Sequence, residues 1–92
     1  MLTPQTLIRH ELIGLPVRIV ESTNRAIVGV EGKVVDETRN TLSIESDRML
    51  RVFIKEQCVF LFTLPSGERV KVDGVLLVGR PEDRIKKKVK KW

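Results

Sequence analysis

The sequence predicts a small, mainly β domain, an antiparallel barrel or sandwich with a short helix at each end. Apolar residues recur at alternate positions through most of residues 15–79, which is the period of strands that bury one face. Turn residues such as Ser, Asn, Asp and Gly interrupt this pattern about every 8–12 residues, as in small β domains. The 92 residues are enough for one domain, with residues 1–14 and 80–92 as terminal segments.

The N-terminal segment, residues 1–14, has the features of a short helix. Thr3 can cap it through its hydroxyl, and Pro4 suits the first helical position. An apolar stripe follows at helical spacing: Ile8, Leu12 and Leu15. A helix this short is marginal in isolation, so we expect it to dock on the rest of the protein.

The strand pattern begins near residue 17. The alternating apolar residues are Val17 and Ile19; Val28, Val30 and Val34; Leu42 and Ile44; Leu50, Val52 and Ile54; Phe60 and Phe62; and Val70 and Val72. Residues 27–36 are predicted to form one long strand bent at Gly29 and Gly32, because glycine within a strand usually marks a bulge, a bend or a close backbone approach. Such a bend is what closing a small barrel requires.

The last thirteen residues, here called the basic tail, are predicted to form a helix. Pro81 suits its first position, while Glu82 and Asp83 suit the positive end of the helix dipole. One apolar stripe runs along it: Ile85, Val89 and Trp92. The tail holds seven of the seventeen Lys and Arg and only two acidic residues, so it carries the whole net charge of +5. A clustered charge of this kind suggests a polyanionic partner, either nucleic acid or an anionic membrane surface.

The residues expected of an independent enzyme are scarce. The chain has one His, one Cys and no Tyr, and it lacks a glycine-rich phosphate loop. Cys58 lies in an apolar run and is predicted to be a reduced core residue, and His10 a surface residue. Neither a signal peptide nor a stretch of about 20 apolar residues is present. We therefore expect a cytoplasmic binding module with no catalytic residue, metal site or bound cofactor of its own.

Four blocks of sequence resemble archaeal ribonuclease P protein component 1. They are ELIGLPV at residues 11–17, VESTN at residues 20–24, VGVEGKVVDETRNTL at residues 28–42 and DGVLLVGRPEDRIKKK at residues 73–88. The resemblance covers nearly the whole chain and is least evident in residues 46–56. It implies an Sm-like antiparallel barrel, and one set of residues is similar to the glycine–aspartate–asparagine pattern of Sm proteins: Gly32, Asp36, Asn40 and Leu42.

The resemblance also implies a function. In that family the RNA subunit performs the Mg²⁺-dependent removal of 5′ leaders from precursor tRNA, and the protein is a non-catalytic subunit that supports it. The expected partners are ribonuclease P RNA, a zinc-ribbon protein subunit and, indirectly, precursor tRNA. When alone, the chain is expected to be a monomer.

Two sets of residues follow from the resemblance and from charge. The predicted RNA-binding residues are Arg80, Arg84, Lys86, Lys87 and Lys88, which match the family block, with Arg25 and Arg39 in turns of the barrel. Arginine makes bidentate phosphate contacts, and RNA helices are recognised largely through shape and phosphates. The predicted protein-binding residues are Leu7, Ile8 and Leu12, together with Val28 and Val30 of the strand at residues 27–35.

Three other functions remain open on the sequence. A self-assembling Sm-type ring or ribosomal scaffold is compatible with the free sheet edges of a small barrel, and a hexamer or heptamer by mass would identify it. A membrane-surface role for the tail is tested by vesicle co-sedimentation, although its apolar stripe is short. A nuclease acting by itself would cleave precursor tRNA without any RNA subunit.

Overall fold

The computed structural model describes Leu7 and residues 12–79, which form one antiparallel sheet of six strands. The strands are β1 (Pro16–Ser22), β2 (Glu31–Glu37), β3 (Thr41–Ser46), β4 (Met49–Ile54), β5 (Cys58–Thr63) and β6 (Arg69–Asp73). Of three short 3₁₀ helices, the first (Arg25–Ile27) joins β1 to β2, the second (Lys55–Gln57) joins β4 to β5, and the third (Gly74–Leu77) follows β6. The two predicted terminal helices lie outside the described residues, apart from Leu7 and residues 12–14. No helix in this part of the chain is long and apolar enough to cross a bilayer.

The mainly β prediction is confirmed, and the sheet is strongly curved. Its strand order is β4-β3-β2-β1-β5-β6, so β4 and β6 are its edges and the ladder does not close into a complete barrel among the described strands. The start of β2 pairs with β1, as in Pro16 with Lys33, whereas its end pairs with β3, as in Glu37 with Leu42. β1 and β3 therefore pair with different parts of β2 and are offset along it. Together with the ordinary twist of the strands, this offset curves the sheet.

The curvature does not come from one long strand bent at Gly29 and Gly32, as the sequence predicted. The register shifts between Ile19 and Glu21 in β1 and between Val34 and Asp36 in β2, and such bulges increase local twist. The predicted strand at residues 27–36 is therefore wrong at its start, since β2 begins at Glu31. Gly29 lies in the preceding turn with φ of +95°, a backbone conformation that glycine adopts without strain.

Gly32 does mark a close backbone approach, as the sequence indicated. A Cβ at this position would overlap the carbonyl oxygen of Glu45 in β3 and lie 3.0 Å from a methyl carbon of Ile44. Only a residue without a side chain allows β2 and β3 to approach this closely, so the glycine permits the curvature between them.

The core lies on the concave face of the sheet. Its buried members are Leu7, Leu12, Leu15, Val17, Ile19, Val34, Leu42, Ile44, Phe53, Cys58, Phe60, Phe62, Leu64, Val70, Val72 and Leu77. Phe60 and Phe62 are fully buried with ring centroids 5.9 Å apart. Each fully buried side chain of this size contributes about 1.5–3 kcal/mol through removal of apolar surface from water. The alternation in β1, β3, β5 and β6 thus identified the core correctly.

In β4 the alternating apolar residues lie on the exposed face rather than in the core. Leu50, Val52 and Ile54 would occupy the core if this strand followed the others, but all three are exposed. Phe53 is buried instead, opposite Leu42 in the register with β3. Lys55, which directly follows this strand, is also completely buried. The apolar periodicity of β4 therefore describes its outer face.

Candidate nucleic-acid interface

Arg25 lies on a turn held by side-chain hydrogen bonds. The backbone N–H of Asn24 donates to the hydroxyl of Ser22 at 3.1 Å, and the side-chain oxygen of Asn24 accepts from the N–H of Ala26 at 3.1 Å. The bond to Ala26 caps the first 3₁₀ helix, as short polar side chains commonly do, and the bond to Ser22 holds the turn before it. Arg25 is exposed on this helix, so its guanidinium is available to a ligand.

Arg39 lies on the second turn, between β2 and β3. Thr38 and Thr41 close the turn, because the N–H of Thr38 donates to the carbonyl of Thr41 at 3.0 Å and the N–H of Thr41 donates to the Thr38 hydroxyl at 3.1 Å. Asp36 adds a bond from the N–H of Glu37 to its carboxylate at 2.9 Å. The turn is therefore well defined, and it presents Arg39 to solvent.

A buried cation holds this turn from inside, in a set of residues here called the Lys55 cluster. The Lys55 ammonium lies 2.8 Å from a carboxylate oxygen of Glu37 and 2.7 Å from the carbonyl oxygen of Thr38. The carbonyl oxygens of Arg39 and Gly79 lie 3.2 Å away. A fully buried ammonium is tolerated only when it is paired and hydrogen-bonded in this way.

The Lys55 cluster also sets where the basic tail begins. Gly79 is the last described residue, and its N–H donates to the carbonyl of Arg39 at 2.7 Å. Its own carbonyl accepts from Lys55. Both backbone groups of Gly79 are thus bonded to this cluster, and the chain continues to Arg80 from a point beside Arg39.

The second 3₁₀ helix connects the two arginine-bearing turns. The N–H of Lys55 donates to the carbonyl of Asn40 at 2.8 Å, and the carbonyl of Gln57 accepts from the N–H of Thr23 at 3.1 Å. Gly74, which opens the third 3₁₀ helix, packs against it so closely that a Cβ would overlap the Lys55 carbonyl. Both turns are therefore bonded to the backbone of this helix, and Gly79 is bonded to it through the Lys55 side chain.

The predicted RNA-binding residues divide into two groups. Arg25 and Arg39 are exposed on turns joined through the second 3₁₀ helix. Arg80, Arg84 and the three lysines at residues 86–88 lie outside the described residues. Residues 12–79 contain nine Lys and Arg and nine Asp and Glu, so the described domain is electrically balanced beside a cationic tail.

The predicted protein-binding residues also divide. Leu7 and Leu12 are fully buried in the core, and Ile8 lies outside the described residues. Val28 is exposed, and Val30 is partly buried against the core. The two valines precede β2 rather than lying within it, because that strand begins at Glu31. A contact with a protein partner at these positions stays a prediction.

Two features were missed by sequence reasoning. From the sequence, Lys55 is expected to be an ordinary surface lysine, because it follows an alternating strand. No local signal indicates that its ammonium is buried. Arg18 and Arg69 line a shallow groove that also includes Glu31 and Gly32. The two arginines are 51 residues apart in the chain, so only the strand order brings them to one groove.

Cys58 is buried and free, as predicted. Burial raises the pKa of its thiol above the ordinary value of 9.0, partly offset by a hydrogen bond to the Ser22 hydroxyl at 3.8 Å. A thiol of this kind is a poor nucleophile at neutral pH. Within Leu7 and residues 12–79, no three His, Cys, Asp or Glu side chains are grouped so that they could hold a metal ion.

The fold and the site define a class of protein: a small antiparallel β domain that mounts cationic side chains. A profile of the family described as "Ribonuclease P/MRP, subunit p29" matches residues 5–87. The chain belongs to this family.

Curated relatives with the name "Ribonuclease P protein component 1" agree with this assignment. The one from Methanocaldococcus jannaschii is 60% identical over 91 residues, covering 98% of this chain and 95% of the relative. The one from Methanothermobacter thermautotrophicus is 55% identical and covers 99% of each chain. A solved structure, that of Mth11, described as a homologue of human RNase P protein Rpp29, matches with a TM-score of 0.60 at 55% identity. It covers 82% of this chain and 97% of that one.

Proposed function

We propose that this chain is a protein subunit of ribonuclease P that binds the catalytic RNA and supports removal of 5′ leaders from precursor tRNA. The observation that carries the proposal is the position of Gly79, whose N–H is bonded to Arg39 and whose carbonyl is bonded to Lys55. The basic tail therefore begins at an exposed arginine of the folded domain. We therefore infer that Arg39 and the cations of the tail contact the RNA backbone together.

The chemistry of that surface suits phosphate rather than bases. Arg39 and Arg25 offer planar guanidinium groups on turns held by hydrogen bonds, which favours bidentate phosphate contacts. The lysines of the tail supply additional point charges along the backbone. The 92 residues include only three Phe and one Trp, and Phe53, Phe60 and Phe62 are all buried, so these three offer no platform for base stacking.

In this proposal, hydrolysis belongs to the RNA. Mg²⁺ bound by the RNA supplies the chemistry at the scissile phosphodiester, and the residues of this chain bind and orient RNA. By neutralising phosphates, the protein lowers the repulsion between RNA segments that must pack together, and it reduces the salt needed for folding of the RNA.

The proposed partners extend to proteins. A zinc-ribbon subunit of the same particle is the partner implied by the family resemblance, with the exposed Val28 and the partly buried Val30 as its candidate contact positions on this chain. The free thiol of Cys58 fits a reducing compartment, and we place the particle in the cytoplasm. A ring would pair the β4 edge of one copy with the β6 edge of the next, and the exposed Arg69 and Lys71 of β6 discourage such pairing, so we expect a monomer until partners are added.

The test measures RNA affinity against salt for the intact chain and for a variant with Lys86, Lys87 and Lys88 replaced by Gln. Each phosphate contact contributes about 0.7–0.9 to the log–log slope, so the variant should lose about two units if all three lysines make such contacts. The matched control is Lys33→Gln, Arg48→Asn and Lys71→Gln, which removes the same charge from exposed positions of the domain. The control should keep most of the slope.

Reconstituted leader removal provides the second measurement. Addition of the intact chain to the RNA and the remaining protein subunits should increase cleavage most strongly at low Mg²⁺. Equal cleavage without this chain at both low and high Mg²⁺ contradicts the proposal. Equal loss of slope in the tail variant and the control would show that net charge, and not the tail, determines binding.

A further inference from the structure

Four of the eight exposed large hydrophobic residues in the described part of the chain lie in β4. Leu50 and Val52 are 62% and 61% exposed, and Ile54 is 44% exposed. The three side chains share one face, here called the β4 face, because their register partners in β3 alternate in the same way. Those partners are Glu45, Ser43 and Thr41. The β4 face is therefore a stripe with the period of a strand.

The backbone beside this stripe is also unpaired on one side. β4 is the last strand of the sheet, and within the described part of the chain Met49–Ile54 pairs only with β3. An edge strand presents N–H and C=O groups that an added strand can satisfy. Apolar side chains and a free backbone edge thus coincide on the same six residues.

The opposite edge of the sheet, β6, is protected by charged side chains. β6 buries its apolar residues, Val70 and Val72, and exposes Arg69 and Lys71. Charged side chains on an edge discourage pairing with other chains. In contrast, β4 carries a single charge, Arg51, which lies over the Phe53 ring with 5.4 Å between its guanidinium carbon and the ring centroid. Among the described residues, charged side chains protect the β6 edge, whereas the β4 edge is unprotected.

We propose that the β4 face is a docking surface for an extended segment of another protein subunit of ribonuclease P, which pairs with β4 as a seventh strand. This inference rests on the proposed function, because a subunit of ribonuclease P has other protein subunits of the same particle as neighbours. A strand is the occupant that satisfies the backbone edge, and apolar residues at alternate positions complement Leu50, Val52 and Ile54. RNA is not the expected ligand, because aliphatic side chains offer phosphate neither a positive charge nor a hydrogen-bond donor.

The first experiment measures hydrogen–deuterium exchange of the full-length chain. The remaining protein subunits from the same source are purified and added one at a time, without RNA. One of them should slow exchange of the β4 amides by about tenfold or more, because pairing protects N–H groups on the open edge. The β6 amides should show no comparable change.

Three outcomes would overturn the proposal. Exchange in β4 could stay unchanged with every subunit, RNA alone could cause the protection, or the protection could appear in the chain alone as its concentration rises. The last result would identify a second copy as the occupant. RNA affinity is measured on the same samples, so failure of the proposed function is seen separately from failure at β4.

Matched variants provide the second experiment. Leu50→Gln with Val52→Gln removes the apolar stripe without changing charge, and Val75→Gln makes the same change at an exposed position of the third 3₁₀ helix. The double variant should weaken capture of the partner subunit about tenfold or more while RNA affinity stays within about twofold. Unaltered capture by a double variant that remains folded by circular dichroism would also overturn the proposal.

Discussion

The Lys55 side chain is hydrogen-bonded to the backbone of Gly79, with 3.2 Å between the ammonium nitrogen and the carbonyl oxygen. The same ammonium pairs with Glu37 at 2.8 Å. The first residue of the second 3₁₀ helix therefore fixes both the turn that carries Arg39 and the residue from which the basic tail continues. Stability of the domain and geometry of the proposed RNA surface depend on one buried cation.

Replacing Lys55 with Met should lower the free energy of unfolding by about 3–5 kcal/mol, because it breaks a buried ion pair and removes a buried donor to three backbone carbonyl oxygens. The two side chains are 0% and 3% exposed in the folded chain. Chemical denaturation measured by circular dichroism checks the value. Lys71→Met, at a 56% exposed lysine, should change stability by no more than about 0.5 kcal/mol.

The double variant Lys55→Met, Glu37→Leu separates loss of the ion pair from loss of the lysine itself. It should recover a large part of the stability, since an apolar pair of similar volume avoids the cost of desolvating charges. It should still weaken RNA binding, because Gly79 loses the ammonium that its carbonyl contacts. Full recovery of RNA affinity would contradict the link between Lys55 and the tail.

Gly32→Ala should destabilise the domain by about 1–3 kcal/mol through steric overlap with the Glu45 carbonyl. The neighbouring exposed residue provides the control, and Lys33→Ala should fall within about 0.5 kcal/mol of the parent. Thermal or chemical unfolding measures both. A neutral Gly32→Ala would mean that β2 and β3 separate without cost.

The Cys58 thiol should react slowly with a maleimide or a disulfide reagent in the folded chain at pH 7–8. Burial raises its pKa, so the reactive thiolate is scarcer than in the unfolded chain, whose thiol titrates near 9.0. Labelling in denaturant should be much faster. Ser22→Ala should slow the folded reaction further, since it removes the hydrogen bond that lowers the pKa.

The same pKa predicts how stability changes with pH. Below the unfolded value of 9.0 the thiol is neutral in both states and this group imposes no cost. As pH rises above that value, the unfolded thiol ionises first, so the contribution of Cys58 to stability falls until the folded thiol also ionises. Cys58→Ala should remove this part of the alkaline loss, and an identical pH profile in parent and variant would contradict it.

Arg39→Asn should reduce the salt dependence of RNA binding by about 0.7–0.9 in log–log slope if the guanidinium contacts one phosphate. Arg48→Asn removes the same charge from the turn between β3 and β4, and Asn tolerates the φ of +64° at that position. The control should leave the slope unchanged. Filter binding or fluorescence anisotropy at several salt concentrations measures both variants.

The fold was predictable where one face of a strand meets the core. In β5 and β6 the alternating residues Phe60, Phe62, Val70 and Val72 are buried, because hydrophobic periodicity and burial coincide in strands covered on one side. In β4 the same period marks the outer face. Hydrophobic periodicity shows that one face of a strand is apolar, but it does not show whether that face is buried. An exposed apolar face therefore has the same sequence pattern as a core face.

The candidate site was less predictable. Arg25 and Arg39 were placed correctly in turns by their neighbours Asn24 and Asn40, which are typical turn residues. That these turns share the second 3₁₀ helix, and that Gly79 is bonded to Arg39, depends on contacts between residues far apart in the chain. No local pattern encodes them.

The amino-acid sequence by itself determined the mainly β character, the core faces of β1, β3, β5 and β6, the concentration of charge in the last thirteen residues and the family. Tertiary structure alone decided that Lys55 is buried, that β4 exposes its apolar face and that the tail begins beside Arg39. The division has a physical reason. Periodicity and charge are properties of neighbouring residues, whereas burial of a cation and coverage of a face depend on which distant backbone atoms the curved sheet brings together.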